Sequence, residues 1–217
     1  MQVFHPSMNT IAKASIVAGV LSLALLVYAG VLVDRSPYVT RVNVPIDQPV
    51  QFSHEHHVGG LGIDCRYCHT SVEKSAFAGL PATQVCMSCH SQIWTGSHML
   101  QPVRESYSSG NPIQWNRVHD LPDFAYFNHS VHVQKGIGCS SCHGNVAEMP
   151  LTWKVHSLRM EWCLNCHRQP EMYLRPKEEI FNPVYKAPAN QRELGMKLKA
   201  DYHIREFGLT NCSVCHK

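Results

Sequence analysis

Phe127–His143, FNHSVHVQKGIGCSSCH, is the stretch on which the reading of this chain turns. Its second half, Cys139-Ser-Ser-Cys142-His143, has the Cys-x-x-Cys-His pattern of covalent c-type haem attachment. The two cysteines form thioether bonds to the macrocycle, and the adjacent histidine becomes an axial ligand of the iron. The same pattern recurs as Cys65-Arg-Tyr-Cys68-His69, Cys86-Met-Ser-Cys89-His90, Cys163-Leu-Asn-Cys166-His167 and Cys212-Ser-Val-Cys215-His216. In chain order these are motif 1 (65–69), motif 2 (86–90), motif 3 (139–143), motif 4 (163–167) and motif 5 (212–216). They use all ten cysteines.

Other uses of paired cysteines fit less well. A zinc ribbon takes two knuckles per metal, so five would leave one without a partner. Iron–sulfur ligation draws on closer runs of thiolates. A disulfide framework gives no reason for histidine to follow the second cysteine every time. Histidine is about 7% of the residues, so five such coincidences have odds on the order of one in a million. The cofactors expected are therefore five c-type haems.

Five haems change what the length means. Beyond the apolar N-terminal run, roughly 37 residues remain for each haem, too few to wrap each in its own protein core. The macrocycles must supply most of the core, leaving short helices and irregular connections. The formal charge of +3 is no guide to partners, because five haems add about ten propionate charges. Nothing in the balance argues for nucleic acid.

The first half of the opening stretch carries two histidines three apart, His129 and His132. Phe52–His69, FSHEHHVGGLGIDCRYCH, repeats it: F-x-H-x-x-H-V, then Gly-Ile-x-Cys-x-x-Cys-His, starting 75 residues earlier with a spacer one residue longer. Residues three apart on a helical turn project on the same side, within reach of two different haems. His54, His57, His129 and His132 are accordingly expected as distal iron ligands, opposite the proximal His69, His90, His143, His167 and His216. His119, in Val-His-Asp-Leu-Pro, is expected as the fifth distal ligand, with Met160 as the alternative. Arg104, Arg117, Arg159 and Arg168 are candidate propionate partners. With every iron six-coordinate no open position is left for a substrate, so a conduit is expected and no catalytic site of its own.

Residues 1–13 form a short arm. Ala14–Val33, ASIVAGVLSLALLVYAGVLV, then runs for twenty residues without charge, the length of one membrane-spanning helix. A cleaved signal sequence or a buried core helix would read alike, but the run is longer than a usual signal core. Haem attachment on the outer, oxidising side of a bacterial inner membrane places the arm in the cytoplasm and the haems outside. His5 is then no haem ligand. Residues 34–51, marked by Pro37, Pro45 and Pro49, are expected as a linker, 52–217 as one pentahaem domain, and a helix is expected near 190–204. The fold class is thus mainly α and irregular: one anchor followed by a haem-packed, class III-like domain built on duplicated F-x-H-x-x-H units.

The anchor, the five motifs and the segments SQIWTGSHMLQPVRESY, RVHDLPDFAYFNHSVHVQKGIGCSSCHG and MEWCLNCHRQPE resemble the membrane-anchored pentahaem cytochrome c subunit of alternative complex III. That resemblance implies a quinol-oxidising respiratory or photosynthetic complex. The partners it implies are an iron–sulfur, molybdopterin-like subunit, quinol-binding membrane subunits, and a monohaem cytochrome c or blue copper protein as acceptor. The competing reading is a quinol dehydrogenase anchored by one helix and feeding a periplasmic reductase. That family commonly has methionine two residues after the first proximal histidine, where this chain has Ser71.

Overall fold

The structure, a computed structural model, describes residues 3–205 and 207–216. Residues 1–2 of the expected arm and residues 206 and 217 of the expected domain lie outside these. The chain divides into two compact units, Met1–Arg41 and Val42–Lys217.

The first unit is dominated by helix α1, Ser7–Arg35. Its 29 residues extend beyond the apolar run on both sides and measure about 44 Å at 1.5 Å per residue, more than the hydrocarbon thickness of a bilayer. None of its residues is buried, and Leu23, Leu25 and Leu26 are all more than 60% exposed. Such an apolar cylinder is stable only where lipid or protein covers it. Among the described residues it is the helix long and apolar enough to cross a membrane. The Ser36 hydroxyl donates to the Val33 carbonyl and closes the helix, and Pro37 opens the short α2, Pro37–Thr40.

The second unit has no β-strand among the described residues, only isolated bridges Val42–Lys154 and Ile137–Leu174. Its helices are short: α3 (Cys65–Cys68), α4 (Thr83–His90), α5 (Gln101–Ser109), α6 (His129–Gln134), α7 (Ser140–His143), α8 (Met160–Arg168), α9 (Gln191–Asp201) and α10 (Cys212–Cys215). The apolar interior is correspondingly thin. One cluster joins Val50, Leu100 and Val103, another Val72, Val133 and Ile180, and among the described residues only Met149 and Leu174 are large side chains fully out of solvent. This is the sparse protein core expected of a haem-packed unit.

The unit begins at Val42, ten residues before the boundary read from the prolines. Asn43 N–H donates to the Lys154 carbonyl (2.7 Å), and Gln48 exchanges hydrogen bonds with the Asn116 backbone (2.8 and 2.9 Å). Val50 is buried, so 42–51 is part of the domain surface rather than free chain. The helix expected near 190–204 is α9. It lies against the turn Pro170–Met172, where a side chain at Gly195 would collide with the Glu171 carbonyl.

The two repeated units differ in one informative way. The second forms α6, whereas the first runs as a π-helical turn over Glu55–Gly60. In both, the isoleucine N–H before the motif bonds to the carbonyl of the second histidine: Ile63 to His57 (3.1 Å) and Ile137 to His132 (3.0 Å). The first spacer holds one residue more, and the wider π turn absorbs it without moving either end. Gly59 makes this possible, because a side chain there would strike the Ala147 carbonyl.

Candidate haem site

Each Cys-x-x-Cys-His motif occupies one helical turn. The histidine N–H of motifs 1, 3 and 5 donates to the carbonyl of the first cysteine at 2.9, 2.9 and 2.8 Å. That i to i−4 bond puts the two sulfurs, three residues apart, on one side and the imidazole beside them. Motifs 2 and 4 sit at the C-terminal ends of α4 and α8. None of the ten cysteines is in a disulfide.

The imidazoles are oriented from behind. Nδ1 of His69 meets the Gly79 carbonyl (2.7 Å), His90 that of Ile93 (3.4 Å), His167 that of Leu209 (2.7 Å) and His216 that of Phe124 (2.9 Å). The expected distal histidines do the same: His57 to Ser53 (2.8 Å), His129 to Ala76 (2.8 Å) and His132 to Asn128 (2.8 Å). A carbonyl only accepts, so Nδ1 carries the proton and Nε2 is left with a bare lone pair. This is the second-sphere arrangement that fixes the tautomer of a metal-ligating histidine. His54 Nδ1 meets the Thr152 hydroxyl instead, at 3.0 Å.

The spacing between rings tests whether an iron fits. Two imidazoles on opposite faces of one iron, each nitrogen about 2 Å from it, have centres about 6 Å apart. The His57–His90 centres are 6.2 Å apart, His129–His143 6.3 Å and His132–His167 6.1 Å, the second pair within 13° of parallel. The donor sets fit the group. His54 lies beside His69, and burial first, then the charges of His69 and His57, hold it down at about 4. His143 is pushed to about 3, chiefly by burial and then by His119, His129, His69 and His54. Both are therefore neutral, the form that ligates metal.

The His119 ring lies edge-on to His143 with centres 4.2 Å apart, too close for those two to share an iron coaxially. Against His216 lies the Phe124 ring, at 5.8 Å. The buried Nε2 of His119 has no hydrogen-bond partner, and desolvation holds its pKa at about 4. Met160 is exposed at the start of α8, and His156 stacks on Trp162 at 5.1 Å.

A family model described as Cytochrome c3 matches residues 131–217. The multihaem cytochrome c subunit of menaquinone reductase from Nitratidesulfovibrio vulgaris (strain Hildenborough) is 33% identical over 177 residues, covering 79% of this chain and 77% of that protein. The chain belongs to this multihaem cytochrome c family. A cytochrome c3-type domain implies covalently bound c-type haems, and Cys-x-x-Cys-His is the pattern that attaches them.

Two sets of residues in this cytochrome escaped the sequence reading. Phe52 stacks on His57 (4.4 Å, 25°) and meets His54 edge-on (4.9 Å, 86°); Phe127 treats His132 (4.4 Å, 30°) and His129 (4.8 Å, 89°) the same way. One aromatic ring thus sets the attitude of two histidines in each copy, and its repetition in F-x-H-x-x-H was the available signal. Arg175 carries no sequence signal. It is 5% exposed, donates to the Ser140 and Ser141 hydroxyls (3.2 and 2.9 Å) inside motif 3, and leaves its Nε without a partner. Among the propionate candidates, Arg104 is occupied by the Thr95 and Ser97 carbonyls, and Arg117 pairs with Asp120 at the surface.

Proposed function

We propose that this cytochrome carries five haems and serves as the electron-relay subunit of a quinol-oxidising membrane complex of the alternative complex III type. The observation that carries the relay reading is the set of histidine pairs at 6.1–6.3 Å, in which one helical turn, His129–His132, reaches the proximal histidines of two successive motifs. His57 and His90 repeat the link in the first half, with His54 near enough to His69 to feel its charge. Such a pair saturates its iron, and with His119 as the fifth distal ligand electron transfer is the chemistry left available. When bound, each haem supplies a one-electron couple. The chain's own residues hold it at the cysteines, orient its ligands through Nδ1 and exclude water with the phenylalanine rings.

In this reading α1 anchors the subunit in a bacterial cytoplasmic membrane, with the haem unit on the periplasmic side. Electrons arrive from an iron–sulfur subunit beside quinol-binding membrane subunits and leave to a periplasmic cytochrome c or copper protein. A second direction has its own support. The Nitratidesulfovibrio relative is by name a menaquinone reductase, and a relay conducts either way according to its end potentials.

The test is to follow the haem α-band of the intact membrane complex and of the purified chain with its anchor. Reduction of the complex by a menaquinol analogue supports the first direction, and oxidation of the pre-reduced complex by menaquinone supports the second. If the purified chain alone oxidises menaquinol, the relay reading fails and the anchored quinol dehydrogenase stands.

A further inference from the structure

The order in which the motifs follow one another in space is not their order in the chain. We propose that they run second, first, third, fourth, fifth, with motifs 2 and 5 at the ends where electrons are exchanged with partner proteins. This rests on the relay reading and adds its path.

Side chains and turns that belong to neighbouring motifs touch in that succession. Motif 2 meets motif 1 through the Tyr67 and Ser88 hydroxyls at 2.9 Å, each residue lying inside its own Cys-x-x-Cys. His57, on the same π-helical turn as His54, reaches His90. Motif 1 meets motif 3 on one short stretch: the Cys65 sulfur lies 3.8 Å from the Phe181 carbonyl, and Cys139 N–H donates to the Ile180 carbonyl (3.1 Å). A second bridge joins the same two motifs. The residues Ala76 and Gly79 orient His129, facing motif 3, and His69 of motif 1 respectively. Motif 3 meets motif 4 through α6, whose His129 and His132 face His143 and His167. Motif 4 meets motif 5 where His167 Nδ1 bonds to the Leu209 carbonyl, three residues before Cys212.

Motif 1 is therefore interior, with neighbours on both sides, although it comes first in the chain. Exposure agrees independently. Of the ten cysteines only Cys89 and Cys212 are exposed, one in motif 2 and one in motif 5. The other eight are partly covered, as expected when the ends of a row face solvent and its middle does not. For each electron relayed, a one-electron donor such as an iron–sulfur cluster is oxidised at one end. A one-electron acceptor such as a c-type haem or copper centre is reduced at the other, and no bond or proton moves.

The experiment uses the full-length holoprotein with His54→Met and His57→Met, which replace one distal ligand each while keeping the haem attached. A histidine–methionine pair raises the potential of its own haem, and earlier reduction there lowers the apparent potentials of adjacent haems by charge repulsion. Spectroelectrochemical titration should show one haem moving up and two moving down in His54→Met, but one up and one down in His57→Met. The reverse, two partners responding to His57→Met and one to His54→Met, overturns the order while leaving the relay intact. If either variant lacks the near-infrared thioether signature, the ligand reading fails at that site. The order is then decided by the iron positions in a density map of the holoprotein. There, motif 1 between motifs 2 and 3 supports the proposal, and motif 1 at an end overturns it.

Discussion

Phe127→Ala should loosen two distal histidines at once. The ring is 37% exposed and contacts His132 face-on at 4.4 Å and His129 edge-on at 4.8 Å. Each such contact contributes about 1 kcal/mol beyond the area it covers. A fully buried Phe→Ala change costs about 3–5 kcal/mol, and the partial exposure here reduces the apolar share. Together about 2 kcal/mol of ligand ordering is lost, divided between two histidines. About 1 kcal/mol at each histidine corresponds to roughly a 5-fold easier displacement of each distal ligand, at 1.4 kcal/mol per factor of ten. The assay is titration of the ferric holoprotein with exogenous imidazole or cyanide, reading the fraction of irons that exchange a ligand. Two haems, those of motifs 3 and 4, should become exchangeable, and Phe52→Ala should do the same at motifs 1 and 2. Phe127→Leu, which keeps apolar bulk without the ring, should fall between. Unchanged exchange in Phe127→Ala, or a response at motif 1 or 2, would refute the reasoning, because the ring touches neither His54 nor His57.

Three further outcomes follow from the same geometry. His119→Ala should convert one haem from low-spin to high-spin in electron-resonance spectra, since its buried Nε2 has no hydrogen-bond partner and is available to the iron left without a distal histidine; an unchanged set of low-spin signals would remove His119 from that role. Arg175→Gln removes a buried cation and its bonds to Ser140 and Ser141, so the motif 3 haem should titrate at a lower potential and the holoprotein should lose about 2 kcal/mol in thermal unfolding; an unmoved potential would show that the guanidinium does not act on that haem. Acid should convert low-spin to high-spin haem as pH falls from about 6.5 towards 3, because His54, His119 and His143 are held near 4, 4 and 3 and the unfolded chain takes up protons in that window that the folded chain does not. A Soret spectrum constant down to pH 3 would contradict that sign.

The motifs were legible because haem attachment needs only residues i, i+3 and i+4 of one helical turn. Cys65, Cys68 and His69 form the same local shape as Cys212, Cys215 and His216, whatever surrounds them. The apolar span was legible for a similar reason: twenty uncharged residues define a long helix without reference to any contact. Legibility fell off where a role depends on a distant partner. The neighbour of His119 could not be read from its proline-stiffened context, and the fold sets its ring edge-on to His143. Arg175 looked like nothing in particular, yet it is buried against motif 3. The residues before Phe52 read as linker because prolines mark them, while the hydrogen bonds that fix them run to Asn116 and Lys154.

The sequence by itself determined covalent haem attachment, the duplication of F-x-H-x-x-H and one apolar span, all properties of neighbouring residues. Only the tertiary structure decided that His57 lies against His90, His129 against His143 and His132 against His167. It also made the first motif in the chain an interior one, because the 76–79 and 180–181 segments bring motifs 1 and 3 together across more than seventy residues. Axial pairing is a contact across space, and sequence spacing carries no record of it.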